Sequence, residues 1–300
     1  MWQFHYFLVA KLILIIGIVL AIAYVAVCIF LVLLQQRFMF FPSSVIKITP
    51  KDVNLSYEDV WLSASKRKGK LEQIHGWWIP ANYDTPNFQG VLLYLHGNGI
   101  NIGANVEPAY RFQKLGFDVL LIDYRGYGLS TGNFPSEAQI YQDVEIVWKY
   151  LVNQRKVNPQ NILVYGHSLG GAIAVELAIR HPKMAGLIIQ SSFTSMQGMV
   201  DYRGGMYRIF PIKLILHQIF DSITKLRKLD IPIMLIHGRE DGSVPAYMSE
   251  QLFAVTPAKI KDLYIVPGAD HNNVAAIAGD EYLERLNKFI NRLKVVGGRF

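Results

Sequence analysis

The chain is poor in cysteine, in charge and in polar linkers. A single cysteine, Cys28, among 300 residues leaves no thiol pair for an intrachain disulfide and no cysteine-rich metal site, so neither fold nor chemistry rests on paired thiols. Only 18% of the residues are charged against 51% hydrophobic, which excludes a disordered, acidic-tail or collagen-like chain and lets a chain of this length bury a large core. Internal repeats and low-complexity tracts are missing too, as are zinc-finger, RNA-recognition and helix-turn-helix patterns. The net charge of +7 comes from scattered basic residues beside a hydrophobic N-terminus, and it fits an anionic membrane surface better than nucleic acid. Nothing points to a metal, flavin or nicotinamide; no cofactor is expected.

The first positive feature is a run without charge. Leu12 to Leu34 reads LILIIGIVLAIAYVAVCIFLVLL, about 23 residues, against the ~20 that a bilayer-spanning helix requires. A cleaved secretory signal would have an apolar region of only ~7–15 residues before a small-x-small site, whereas this run continues far past Ala21-Ile22-Ala23. Residues 1–41 are therefore expected to form a tail and a single-pass membrane anchor. Lys11 with the amino terminus on one side and Arg37 with Lys47 on the other nearly balance, so the positive-inside rule selects neither side. Phe38, Phe40 and Phe41 suit either the interfacial zone or packing on the first strand.

Residues 42–300 read as one catalytic unit without a second boundary. Between about Val45 and Pro80, short alternating pieces such as Ile74-His75-Gly76-Trp77-Trp78-Ile79 surround the basic turn Lys66-Arg67-Lys68-Gly69-Lys70. They predict a meander of edge strands with a solvated hairpin tip. From residue 91 the pattern changes to short continuous apolar runs separated by helical stretches: Val91–Leu95, Val119–Ile122, Ile162–Tyr165, Leu187–Ile189, Ile233–Ile236 and Leu263–Val266. Strands buried on both faces have this pattern, and alternation with helices predicts an α/β fold with a mostly parallel central sheet and helices on both faces. Polar and glycine residues follow nearly every run, where open α/β sheets place their sites.

The chemistry gathers at those strand ends. Gly166-His167-Ser168-Leu169-Gly170-Gly171 stands between the apolar run Ile162–Tyr165 and the apolar helix Ala172–Ile179, the context of a nucleophile elbow. A serine hydroxyl is a weak nucleophile near neutral pH, so it needs an imidazole base and a carboxylate that orients the base. Asp241 follows Ile233–Ile236 and His271 follows Leu263–Val266, which gives the chain order Ser, Asp, His. Asp241 is preferred to Glu240 and Asp270 because it is the turn residue preceding Gly242. Of the eight histidines, His96 and His237 end strands before a glycine and read as loop-bracing residues, and the tight elbow directs His167 away from the serine. The loop His96-Gly97-Asn98-Gly99 adjoins the elbow, so the backbone N–H groups of Asn98 and Leu169 are the candidate oxyanion donors. A phosphate-binding loop would need Gly-Lys-Ser/Thr or G-x-G-x-x-G there, and neither is present.

From about residue 42 onward the chain resembles the α/β-hydrolase superfamily. More narrowly, Tyr94–Gly99, Asp123–Ser130, Gly166–Gly171 and Gly268–Asn272, with Phe40-Phe41-Pro42 behind the anchor, resemble the membrane-anchored, lidless hydrolases related to Bem-type proteins and to animal protein-depalmitoylating hydrolases. The resemblance implies a serine hydrolase with Asp123-Tyr124-Arg125-Gly126 bracing the loop beside the site. Gly99-Ile100 departs from the alanine and glycine common in that group. Only about 40 residues separate the strand ending near Gln190 from that beginning at Ile233, so an open site is expected. Ile212, Ile215, Leu216 and Ile219 share a helical face that suits core packing or the wall of an acyl groove.

The expected activity is cleavage of a carboxylic ester or thioester through an acyl-serine, with a membrane-embedded acyl substrate and the lipid bilayer as partners and no nucleic acid. Two alternatives are a serine aminopeptidase on the same scaffold, which usually needs a larger cap and an acidic pocket, and a non-catalytic membrane-tethered scaffold.

Overall fold

The computed structural model describes residues 2–67, 69–81 and 89–297. The charge-poor N-terminus forms one helix, α1 (Trp2–Met39), which at 1.5 Å per residue is about 57 Å long. Its most apolar window has a mean hydropathy of 3.2 and lies outside the folded core, so α1 is long and apolar enough to cross a membrane. It outruns the charge-free stretch at both ends because neither flank contains glycine or proline; Pro42 then prevents its continuation.

Eight strands form the main sheet: β1 (Glu58–Arg67), β2 (Lys70–Ile79), β3 (Gly90–Leu95), β4 (Phe117–Ile122), β5 (Ile162–His167), β6 (Gly186–Gln190), β7 (Ile233–Gly238) and β8 (Lys261–Val266). Their spatial order is 1-2-4-3-5-6-7-8, antiparallel from β1 to β4 through β2 and parallel elsewhere. The helices used below are α2 (Val106–Lys114), α3 (Glu137–Lys149), α4 (Leu169–Arg180), α5 (Met196–Arg203), α6 (Ile212–Ile215), α7 (Tyr247–Val255) and α8 (Asp280–Gly297). Alternate strand residues serve opposite layers, as a period of two demands. Val91, Leu93, Leu95 and Val164 pack with α3, α4 and α7, whereas Leu92, Tyr94 and Tyr165 pack with α2 and α8. After β3 the chain turns to β4 on one side and later to β5 on the other. The loops beyond β3 and β5 therefore part at the C-terminal edge, where such sheets hold a site.

Two sequence expectations need correction. The early meander is a single hairpin in which only β1 is an edge; β2 lies inside the sheet, paired to β4 through Gly76–Ile79, and buries both Trp77 and Trp78. At the opposite margin, β8 is an edge strand with Leu263 and Ile265 only half-buried, although its apolar run read as fully covered. Of the basic turn, Lys68 and the side chains of Lys66 and Arg67 lie outside the described residues.

The end of α1 is tied into this core. Phe40 is 1% exposed and meets Phe220 edge-on with ring centroids 6.2 Å apart. Phe41 and Pro42 pair in parallel with Gly99 and Ile100, while Phe38 and Phe41 remain exposed. Phe40→Ala is expected to cost about 3–5 kcal/mol, through lost burial and the cavity left behind. Denaturant unfolding of the full-length protein in detergent checks this, and a loss under about 1 kcal/mol would mean that the site collapses without strain.

Candidate active site

Ser168 sits at the sharp turn from β5 into α4 with φ 54° and ψ −119°, a conformation that side chains adopt only when the surroundings impose it. Two neighbours make the turn possible. A Cβ on Gly166 would lie 2.3 Å from the Gly170 carbonyl oxygen, and one on Gly170 would lie 2.0 Å from that of Leu95. The Ser168 amide donates to the Gln190 carbonyl at 2.8 Å, which fixes the turn to β6.

The three polar residues proposed from chain order converge. His271 Nε2 lies 3.1 Å from Ser168 Oγ, and His271 Nδ1 lies 2.6 Å from Asp241 Oδ2. A carboxylate only accepts, so Nδ1 carries the ring hydrogen and Nε2 is free to accept from the serine. Asp241 Oδ1 accepts the backbone N–H groups of Ser243 and Val244, both at 2.8 Å. Burial alone would raise the Asp241 pKa; the hydrogen bonds from His237, His271 and Val244 outweigh it and hold the carboxyl well below the usual carboxylate range. Neither rival acid occupies this position. Glu240 is exposed and accepts the Gly268 N–H at 3.3 Å, while Asp270 caps the turn at Asn272 and Asn273.

Two further histidines support the site, through contacts that spacing alone does not reveal. His237 Nε2 faces both Asp241 Oδ2 at 3.1 Å and the Val244 carbonyl at 2.9 Å, so this nitrogen donates, and Nδ1 accepts from Ser249 Oγ at 2.6 Å. Asp241 thus binds two imidazoles. His167 does turn away from the serine, and its Nε2 donates to the backbone carbonyl of His271 at 3.2 Å. Burial first, and His271 second, pushes its pKa down to about 4. A histidine with a lowered folded pKa stabilises fully above the unfolded value near 6.5 and loses that contribution as pH falls toward about 4, because the unfolded chain takes the proton first. His167→Gln is therefore expected to flatten the fall in stability between those pH values. Urea midpoints of both proteins at pH 7 and pH 5 measure it, and parallel slopes would contradict it.

The loop after β3 is clamped from several sides. The Asn98 carbonyl accepts from Phe41 N–H at 2.9 Å and Tyr127 Oη at 2.8 Å, and the Asn98 side chain donates to the Met39 carbonyl at 2.9 Å. Tyr124 Oη donates to the His96 carbonyl at 3.0 Å, and the His96 ring packs on Tyr124 and Tyr127. The bracing implied for residues 123–126 is thus made at the loop by Tyr124 and by Asp123, whose Oδ1 accepts the Ile102 N–H at 2.9 Å and lies 3.3 Å from His96 Nε2; Arg125 instead joins Asp143 at 2.6 Å and Glu72 at 2.8 Å. Burial, opposed by Arg125, raises the Asp143 carboxyl to about 6. Ile100 has φ +63°, a left-handed conformation uncommon for a β-branched residue; Ser43 N–H donates to its carbonyl at 2.9 Å. Leu169 opens α4, so its N–H has no intrahelical acceptor.

Ser168 lies between two cavities. One, of about 480 Å³, is bordered by Tyr94, Asn98, Arg111, Tyr165 and His271. The other, of about 370 Å³, is bordered by Phe38, Met39, Phe193, Met196 and Met199. The stripe expected from Ile212 to Ile219 forms no continuous helix: α6 ends at Ile215, Leu216 is extended, and the Ile219 N–H is bonded by the Glu137 carboxylate. Among the described residues no cluster of ligands could hold a metal ion.

A strained serine at the β5–α4 turn, joined to a histidine and an aspartate from later strand ends, defines the architecture of an α/β-hydrolase. The family profile described as serine aminopeptidase, S33, matches residues 86–225. Protein bem46 of Schizosaccharomyces pombe is 31% identical over 248 residues, 81% of this chain and 79% of its own. Alpha/beta hydrolase domain-containing protein 17B of Homo sapiens is 32% identical over 212 residues, 69% of this chain and 68% of its own. In fold, the Pyrococcus furiosus esterase Pf2001 matches 84% of this chain and 98% of its own with a TM-score of 0.67 at 21% identity. The chain belongs to the α/β-hydrolase family, in the group with bem46 and protein 17B.

Proposed function

We propose that the protein is a single-pass, membrane-anchored serine hydrolase that cleaves a carboxylic ester or thioester through an acyl-serine intermediate. The observation that carries this reading is the unbroken chain from Ser168 Oγ to His271 at 3.1 Å and on to Asp241 at 2.6 Å. Ser168 Oγ attacks the acyl carbon while His271 Nε2 takes its proton. The imidazolium then returns that proton to the departing alcohol or thiol, leaving the acyl-serine. Water, deprotonated by the same nitrogen, releases the acid and restores the serine. Asp241, held ionised, orients Nδ1–H and balances the imidazolium charge. The N–H groups of Asn98 and Leu169 receive the oxyanion, aided by the positive end of α4.

The aminopeptidase profile favours a second reading, cleavage of amides with a free amine. Such a substrate needs a carboxylate near Ser168 to bind the ammonium, yet the described residues bordering the two cavities include neither aspartate nor glutamate. Rates of the full-length protein on matched esters, thioesters and aminoacyl amides decide between them. Turnover of esters or thioesters is expected; preference for the amides would replace this reading, and inactivity on the whole panel would favour a non-catalytic scaffold.

A further inference from the structure

The apolar cleft beside Ser168 does not end at the site. A second cavity of about 420 Å³, bordered by Leu31, Gln35, Ile212, Ile215 and Leu216, shares Phe38, Met39, Met196, Met199 and Arg203 with it. Together they make a passage whose one wall is α1 and whose other wall is the segment from α5 to α6. Its amide side chain is already satisfied: Gln35 Oε1 accepts the N–H groups of His217 and Gln218, and Gln35 Nε2 donates to the carbonyls of Val32 and Ile215, while Arg203 reaches the Ser243 carbonyl at 3.4 Å. Apart from Arg203, the shared lining is thioether and aromatic, and the cavity along α1 adds aliphatic surface, which favours a hydrocarbon chain.

The passage also rises along the anchor. Leu31 precedes Arg37 by six residues, about 9 Å of helix, and so belongs to the charge-free run. Alongside it, Tyr24 Oη donates to the Ile209 carbonyl at 2.7 Å and the Tyr24 ring stacks on Phe210 at 5.8 Å. Tyr24 stands about 22 Å up the helix from Met39. The segment beside α1 therefore climbs to the level of the charge-free run, and it presents Ile209 and Leu214 outward at 64% and 77% exposure. If α1 spans a bilayer, the upper end of the passage opens within the hydrocarbon.

We infer that the acyl chain of the substrate reaches Ser168 sideways, along the groove between α1 and the 196–216 segment. This rests on the proposed hydrolase reading and adds that the anchor helix is itself a wall of the acyl subsite. The chain runs along mostly apolar surface, with Arg203 at the junction of the two cavities, while the leaving group takes the polar cavity beside Arg111.

Two measurements on the full-length protein in phosphatidylcholine vesicles test it. The first compares palmitoyl and butyryl esters of one alcohol. Leu31→Trp, and separately Met199→Trp, is expected to lower the palmitoyl-to-butyryl ratio of kcat/KM by roughly ten-fold or more, because several methylenes of the longer chain lose their burial. Leu33→Trp, at a position 72% exposed and bordering neither cavity, is expected to leave both rates unchanged. An unaltered ratio in both groove variants overturns the passage while leaving ester hydrolysis intact. The second needs no turnover: Ser168→Ala is photolysed with a vesicle-borne palmitoyl ester bearing a terminal diazirine. Crosslinks to Met196 or Met199 that disappear in Met199→Trp support the groove even if hydrolysis of esters were disproved. Crosslinks confined to the lipid-exposed side of α1 overturn it.

Discussion

Ser168→Ala is expected to lower kcat on a soluble ester by roughly 10⁵–10⁶-fold, with the thermal midpoint little changed. In the proposed mechanism Ser168 Oγ forms the acyl bond, and among the described residues it is the hydroxyl in hydrogen-bond contact with His271 Nε2. Alanine keeps the hydrogen bond from the residue 168 N–H to the Gln190 carbonyl and can hold the same strained backbone, so the elbow is expected to persist. Only slow attack by water polarised in that site is left. Initial rates with circular dichroism melting test this, and a variant retaining more than about one per cent of kcat would place the nucleophile elsewhere.

Asp241→Asn is expected to lower kcat by roughly 10²–10⁴-fold, whereas Glu240→Gln changes it less than about three-fold. The asymmetry comes from hydrogen-bond polarity. The Asp241 Oδ1 position faces two backbone donors, Ser243 and Val244, so an asparagine must put its oxygen there. Its NH₂ then points at His271 Nδ1 and His237 Nε2, which both donate in the native site. His271 can relieve the clash only by moving its hydrogen to Nε2, which then cannot take the serine proton. The Glu240 carboxylate is exposed and accepts the Gly268 amide, away from both imidazoles. Equal losses in the two variants would show that neither carboxylate acts through the imidazole.

Much of this site was legible in the sequence because its constraints are local. The elbow needs glycines at 166 and 170, and such a pattern between an apolar strand and an apolar helix has few other meanings. Chain order then selected Asp241 and His271 from many candidates. The parallel strands were equally readable, since a strand covered on both faces is a continuous apolar run. The errors fell where burial depends on neighbours that sequence does not reveal. β2 alternates like an edge strand yet lies between β1 and β4, and β8 carries the apolar run Leu263–Val266 yet has one free edge. Also hidden were the second imidazole on Asp241 and the bond from His167 to the His271 carbonyl. Their histidines ended or followed apolar strands, but pairings over long separations leave no periodic trace. The link from Asn98 to Met39, which ties α1 to the loop beside the serine, belongs to the same class.

The most direct test of an acyl-serine mechanism at Ser168 is covalent. Full-length protein in detergent is treated with a fluorophosphonate, digested, and its modified peptide sequenced by mass spectrometry. The account predicts one phosphonylated residue, Ser168, with labelling abolished in Ser168→Ala and strongly slowed in His271→Ala. Absence of labelling in the folded native protein, or labelling that persists in Ser168→Ala, would contradict it.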